Sequence, residues 1–290
     1  MRLACTLSLL ATLAAGCASS PGPEKAVSRV SIVAITASHQ LIRFDAARPG
    51  QVLSSKPLVG LQPGETVLGI DYHVAKGWLY AVGSSNRLYR LNADTAIATP
   101  VGERFSVSLS GTHFGVDFNP AVDRIRVVSD TGQNLRLHPD TGAVVDGDTT
   151  LTGVQTDGPL DYAPGDRSAG LRPALVAVGY TYNKVDDKLT TNYAIDAATA
   201  TLVTLGSREG VTPVVSPNTG HLFTVAPLGL PPFDDAAFDI ADVSGLAFAA
   251  VTGPGATPST WVEIDLATGA AREIGRIGSN TTVLAVAIEP

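Results

Sequence analysis

Cysteine is nearly missing from this chain: Cys5 and Cys17 are its only two among 290 residues. Everything beyond residue 17 must therefore fold without a disulfide, and Cys-based zinc or redox chemistry is excluded there. Charge is scarce too, at 16% of residues, and 20 basic side chains are scattered among 27 acidic ones for a net charge of −7. A nucleic-acid surface needs clustered Lys and Arg, which this composition does not supply. No apolar run reaches the length of a bilayer-spanning helix. After the first 20 residues no stretch keeps a helical period over three or more turns, which argues against α/β architectures. Catalytic signatures are missing as well. There is no GxSxG elbow, no GxGxxG unit between strand and helix, and no P-loop, so nucleophilic hydrolysis and nucleotide binding have no foothold. The five His residues, His39, His73, His113, His138 and His221, show no HxH, HxxxH or HExxH spacing, and no local zinc signature results.

What is present begins with a targeting segment. Met1-Arg2 forms a minimal positive region, and Leu3 to Ala15 follows as an uncharged apolar stretch too short to span a bilayer. It runs into Leu13-Ala14-Ala15-Gly16-Cys17, which resembles the bacterial lipobox, with Ala14 at the place where Leu is commonest. The expected organisation is a signal peptide over 1–16, a lipid-anchor tether over 17–28 and a single domain over 29–290, with Cys17 lipidated. That implies an exported outer-membrane lipoprotein, periplasmic or surface facing, touching the membrane through Cys17. The alternative is a soluble secreted protein cut near Ala15 or Ala18.

The body of the chain is repetitive. Gly115 to Gly142, GVDFNPAVDRIRVVSDTGQNLRLHPDTG, lies without a gap on Gly69 to Ala96, GIDYHVAKGWLYAVGSSNRLYRLNADTA, and eight of the 28 positions are identical. A fixed period of this size points to a repeat architecture. Within each copy apolar residues recur at every second position, as half-buried strands require, and Gly, Asp, Asn and Ser fill the connectors. Gly (29) and Pro (19) make about a sixth of the 290 residues, in keeping with many short strands joined by turns. The expected strands of the second copy are Gly69 to His73, Trp78 to Gly83, Arg87 to Asn92 and Thr99 to Gly102. A first unit runs from Val30 to Leu61, with Ala46 to Gly50 as a turn and Lys56 to Leu61 as its last strand. A fourth opens at Ala177, with Leu189 to Asp196 as third strand and His221 to Val225 outermost. A fifth spans Phe238 to Ile277. The last residues, 284–290, match the first strand of the repeat and would complete the first unit. The predicted fold is an all-β propeller of five blades, each of four antiparallel strands, with strand 284–290 joining the N-terminal blade. Six blades follow if Val211 to Val225 pairs as a separate sheet.

The phrase GVDFNPAVDRIRVVSDTGQNLRLHPDTG and the later LDYAPGD at Leu160 to Asp166 resemble a bacterial family known as a domain of unknown function, number 4394 (DUF4394). So do LFTVAPLG, at Leu222 to Gly229, and the stretch Ala237 to Ile240. The resemblance spans roughly residues 30 to 290. It implies a secreted or surface-exposed propeller-like domain and assigns no catalytic residue.

Candidate chemistry is therefore read from the residues alone. Asp130-Thr131-Gly132 and Asp140-Thr141-Gly142 both spell the aspartic protease triplet, but that chemistry needs two carboxylates about 3 Å apart. Here the triplets sit at successive turns of one repeat and read as turn residues. Asp71, Asp117 and Asp239 share one position in the first strand of three repeats, a position that faces the axis of a propeller. A ring of carboxylates there would suit a cation, whereas the bland role is to bond the backbone of the next blade. Calcium is the cofactor these residues allow, with Asp146, Asp148, Asp157, Asp161 and Asp166 as loose further oxygen ligands, although no twelve-residue calcium loop is present. Repeat register places His73 at the end of one first strand and His113 just before the next, from where they could meet on one face of the ring.

Two segments break the repeat, Val154 to Pro173 and Ala226 to Ala237. Long loops on a rigid scaffold are where binding sites tend to lie. The expected function is a monomeric, non-enzymatic binding or scaffold module of the cell envelope, its face built from these loops, with Asp157, Asp161, Tyr162, Asp166 and Arg167 contacting a protein or glycan ligand. The competing expectation is a periplasmic hydrolase or lyase working at the channel with Asp117, Asp239 and His113.

Overall fold

The computed structural model describes residues 30–255 and 258–290. The expected signal peptide, tether and Cys17 lie outside the described residues.

Among the described residues the alternating apolar segments form twenty strands in five sheets. Blade 1 contains β1 (Ser31–Thr36), β2 (Gln40–Asp45) and β3 (Arg48–Pro57), and blade 2 contains β4 (Val67–His73), β5 (Trp78–Gly83), β6 (Arg87–Asn92) and β7 (Ile97–Val101). Blade 3 has β8 (Phe114–Asn119), β9 (Arg124–Ser129) and β10 (Asn134–Leu137). Blade 4 follows a short strand β11 (Asp161–Tyr162) and consists of β12 (Leu175–Tyr180), β13 (Asn192–Asp196), β14 (Thr201–Leu205) and β15 (His221–Pro227). Blade 5 has β16 (Asp235–Ile240), β17 (Ala247–Thr252), β18 (Thr260–Ile264) and β19 (Ala271–Arg276). The last strand, β20 (Val283–Ile288), pairs antiparallel with β1, Ile32 opposite Ile288 and Val33 opposite Ala287, and is the innermost strand of blade 1. The inner strands β20, β4, β8, β12 and β16 neighbour one another in that order around a central axis. This is a five-bladed β-propeller.

The offset that aligned the two copies in sequence aligns them in space, since Trp78–Gly83 and Arg124–Ser129 are the second strands of adjacent blades. Three details differ from the sequence reading. β3 starts at Arg48, where a turn was expected, because Pro49 falls on an outer edge strand that tolerates a missing donor. The strand ending at Asp196 is second in its sheet, not third, because Thr181 to Thr191 is held in side-chain-bonded turns by Asn183 and Asp186. Blade 3 keeps three strands and only a single bridge, Leu137 to Val144, where its fourth would lie. The segment Val211 to Val225 yields β15, which pairs with β14, so it makes no sixth blade.

Two recurring positions explain the regularity. The residue at the end of a strand, or the first one past it, before a turn is Asp45, Asn92, His138, Asp196 or Asp265, and in all five blades its side chain accepts the N–H two residues on. The second position lies on the inner strands and is always small: Gly69, Gly115, Ala177, Ala237 and Ala285. A Cβ on Gly115 would sit 2.6 Å from the carbonyl carbon of Ala177. The inner strands approach so closely there that the cavity on the axis measures only about 10 Å³.

Packing concentrates in the seams between blades. Four seams are apolar, as where Trp261 of blade 5 is flanked by Phe248 and Phe44 and donates its indole N–H to Ala46 O of blade 1. The seam between blades 3 and 4 has a smaller apolar cluster and a buried polar network instead. There Arg126 donates to Asp157, Asn134, Asn218 and the Tyr180 hydroxyl, while Arg136 grips the same Asp157.

Candidate ligand-binding site

The inner strands begin at the plugged end of the axis and finish at the other, where they surround a cavity of about 1570 Å³. Its floor is formed by the shared Asp position. Asp71, Asp117 and Asp239 are all buried, and one carboxylate oxygen of each lies within 4.8 Å of the others. Gly179 and Ala287 take the same position in the other two blades, which leaves room for three carboxylates around five strands.

These carboxylates resolve a backbone problem. An inner strand has no partner on its axial side, so its N–H groups there need acceptors. Asp71 accepts Phe118 N–H at 2.7 Å, Asp117 accepts Tyr180 N–H at 3.0 Å and Asp239 accepts Ile288 N–H at 2.6 Å, each from the next blade around the ring. The two blades preceded by Gly179 or Ala287 have no such neighbour. In one of them the Asp bonds inside its own strand, Asp239 accepting the Ile240 N–H at 2.5 Å. Three side chains thus satisfy one axial N–H in each of four blades.

The arrangement is electrostatically costly. Burial, then the charge of neighbouring carboxylates, drives Asp71 and Asp117 well above the usual carboxylate range. Burial raises Asp239 to about 7, and Asp242, just beyond β16 on the cavity wall, to about 6. The ionised form is disfavoured where water is excluded and like charges crowd. The surrounding walls are mixed. Arg43 is paired with Asp94 and Glu289 at 2.9 Å each, and Tyr72 reaches Glu289. Trp78 carries the Arg90 guanidinium over its ring at 3.3 Å. Tyr182 and Lys184, past the end of β12, also line the cavity, and Tyr182 is exposed.

The structure separates the residues that the sequence grouped. His73 lines the cavity, packs on Phe118, lies 3.0 Å from Asp123 and is pushed down in pKa by burial. His113 precedes β8 at the opposite end of the axis, 3.2 Å from Asp235. The two positions are about six strand residues apart in repeat register, or about 20 Å, and do not meet. His113 therefore does not join Asp117 and Asp239. The first non-repeating segment is a strap rather than an open loop. Asp157 is buried in the Arg126 network, Tyr162 is buried with its hydroxyl on Asp196 at 2.6 Å, and β11 extends blade 4 in parallel beside β15. Burial raises Asp166, but hydrogen bonds from Thr224 and Ser168 outweigh it and hold the carboxyl below its ordinary range. Only Asp161 and Arg167 of the five expected contact residues are exposed, and none of the five lines the cavity. The second segment turns Leu228 and Phe233 into the seam between blades 4 and 5. Both Asp-Thr-Gly triplets are turns, their glycines at positive φ.

Asp242, Tyr182 and Trp78 were not singled out from sequence. The usable signal was register: Tyr182 and Asp242 lie two residues past the end of a first strand and Trp78 opens a second strand, all at the same mouth.

Fold and cavity together define a five-bladed propeller with an acid-floored pocket at one end of its axis. The chain matches the family described as domain of unknown function DUF4394 over residues 40–287, and it belongs to that family. No curated protein matches it. Among solved structures it is similar to a Bacteroides thetaiotaomicron protein of unknown function, at 14% identity and TM-score 0.47, covering 89% of this chain and 62% of that one. It is also similar to an auxiliary nutrient binding protein of the same organism, at 16% identity and TM-score 0.42, covering 84% of this chain and 58% of that one. This chain thus spans about three-fifths of each of those proteins.

Proposed function

We propose that this protein is a cell-envelope binding module whose ligand enters the axial cavity, rather than one that presents its non-repeating loops. The observation behind this reading is the open cavity of about 1570 Å³ that ends on three buried carboxylates. Concave sites with a few convergent polar groups are where small ligands bind. A ligand bearing a cationic group fits best, because it would relieve the repulsion among Asp71, Asp117 and Asp239, with Tyr182 and the Trp78 edge available for its remaining surface. A divalent cation such as calcium, held by carboxylate oxygens, belongs to the same class. Export and lipidation at Cys17 complete the proposal, and Cys17→Ser should move the protein from the membrane to the soluble fraction.

The test is a thermal-shift and calorimetric screen of divalent cations, polyamines, amino sugars and neutral oligosaccharides against the wild type and Asp242→Asn/Tyr182→Ala. A cationic ligand that binds the wild type and at least tenfold more weakly the variant supports the reading. Equal binding to both, or binding by neutral sugars alone, overturns it.

A hydrolase or lyase is the second reading, favoured by two carboxyls, Asp239 and Asp242, poised near neutrality in a cavity. Against it, both oxygens of Asp239 already accept backbone N–H groups.

A further inference from the structure

Blades 2 to 5 each send a loop from the inner strand to the second strand, and these loops lie at the mouth of the axial cavity. They are residues 74–77, 120–123, 181–191 and 241–246. Each carries a valine turned out to water: Val74 at 38% exposure, Val122 at 55%, Val185 at 97% and Val243 at 67%. Val74, Val243 and the exposed Tyr182 border the cavity itself, and Val185 follows Lys184, which also lines it. At the opposite end of blades 2 to 4, residues 84–86, 130–133 and 197–200 join second to third strands, and none of them is a large apolar residue. Single exposed apolar side chains are ordinary on a protein surface, whereas a contiguous apolar rim marks an interaction site. One valine per blade, at one end of the axis only, makes such a rim. The charges set between the valines are mixed, with Lys76, Lys184 and Lys188 against Asp123, Asp187 and Asp242. A strongly charged partner has no purchase there.

The fold also fixes where the chain enters the domain. β1 runs antiparallel to β20 and so begins at the mouth, where Val30 and Ser31 line the cavity. Residues 17–29 join the domain at that point, and a chain of this length reaches no further than about 45 Å. A lipid on Cys17 would therefore hold the mouth beside the bilayer. The plugged end could face it only if the same residues first ran back along a blade, about 20 Å for a six-residue strand such as β1. Once the mouth is held there, even a weak apolar contact is made at high effective concentration.

We propose that the valine crown is a bilayer-docking surface, and that the propeller rests mouth-down on its own membrane with the cavity opening onto the lipid headgroups. The direction of the anchor rests on the reading of Cys17 as lipidated; the crown does not. Insertion is shallow, the valines entering the headgroup boundary while the Lys184 and Lys188 stems lie along it. A net charge of −7 gives no attraction to an anionic surface, so docking persists in salt and on zwitterionic lipid.

The experiment has two arms. In the first, the Cys17→Ser chain is sedimented with vesicles of phosphatidylethanolamine and phosphatidylcholine at millimolar lipid, beside the same chain carrying Val185→Asp/Val243→Asp. The Cys17→Ser chain should partition measurably, though weakly enough to leave washed membranes, and the charged variant should partition about tenfold less. In the second, a dye is attached to the lipidated full-length protein through Val185→Cys or, in an exposed turn at the plugged end, Ala37→Cys, and is quenched by spin-labelled lipid. Quenching at position 185 should exceed that at position 37 by about threefold or more. No partition of the Cys17→Ser chain, equal partition of its charged variant, or equal quenching at the two positions overturns the docking. So does a stable dimer that Val185→Asp/Val243→Asp dissolves, since a second copy would then cover the crown. A Cys17 found without lipid while the first arm holds would sink the anchor and leave the crown standing. A ligand screen that fails while both arms hold would sink the cationic-ligand reading alone.

Discussion

Arg126 and Asp157 meet at 2.5 Å inside the seam between blades 3 and 4, with only 1% and 2% of their side chains exposed. Blade 3 lacks a full outer strand, and the strap that crosses to blade 4 brings Asp157 to a guanidinium set in its second strand. The pair thus does for this seam part of what apolar packing does for the other four.

Breaking it one-sidedly should be severe. Asp157→Ala leaves Arg126 and Arg136 facing each other without an anion, and a loss of about 3–5 kcal/mol in urea unfolding is expected. Arg126→Met combined with Asp157→Leu should recover most of that loss, since Arg136 is part-exposed and can turn to water. A double variant no more stable than Asp157→Ala would show that the network supplies geometry that apolar groups cannot replace.

Close approach at the axis gives a second prediction. Gly115→Ala places a methyl 2.6 Å from Ala177 C and Val178 N, where only backbone movement makes room. A loss of about 1–3 kcal/mol is expected. Gly50→Ala on the outer strand β3 meets nothing nearer than 3.7 Å and should stay within about 0.5 kcal/mol of wild type. Parallel denaturant titrations decide the comparison.

The contrast between these two regions shows what the sequence could reveal. Strand period, turn chemistry and the small position at Gly69, Gly115 and Ala177 are local, recur in every blade and were readable as repeat grammar. The shared position of Asp71, Asp117 and Asp239 was readable too. Their mutual approach was not, because ring curvature brings together strands 46 to 168 residues apart. The strap was misread for a related reason. Val154 to Pro173 lacks a period, and aperiodicity looks the same whether a segment faces solvent or, like Leu160 and Tyr162, packs into a seam. Loss of pattern marked where the repeat is repaired, while the cavity was built from residues that follow it.

At the plugged end, His113 and Asp235 should make a separate pH signature. The Asp235 hydrogen bond raises the His113 pKa; burial opposes it, and the charges of Asp235, Asp130 and Asp234 reinforce the rise. A raised His contributes stability that is complete below its unfolded pKa of about 6.5 and is lost as pH rises through the folded value. Asp235→Asn should lower the His113 midpoint in an NMR titration of the imidazole, and His113→Gln should leave the titration of the axial carboxyls unchanged. An unaltered His113 midpoint in Asp235→Asn would assign the shift to something other than this pair.

The two tryptophans allow the cavity to be watched directly. Trp261 is fully buried in the seam of blades 5 and 1, whereas Trp78 lines the cavity beneath the Arg90 guanidinium. Trp261→Phe forfeits the bond to Ala46 O and should cost about 1–3 kcal/mol, while keeping an aromatic ring between Phe44 and Phe248. That variant carries Trp78 as its sole indole emitter, because the chain has two Trp residues. A ligand entering the mouth must displace water beside Trp78 or move Arg90 from its face, and either changes the emission. Titration of Trp261→Phe with the best compound from the screen should therefore give a saturable change with the Kd found by calorimetry. Arg90→Met should alter the starting emission and keep the response if the ligand sits on the carboxylate floor. Binding by calorimetry with no change at Trp78 would move the ligand off this wall of the cavity.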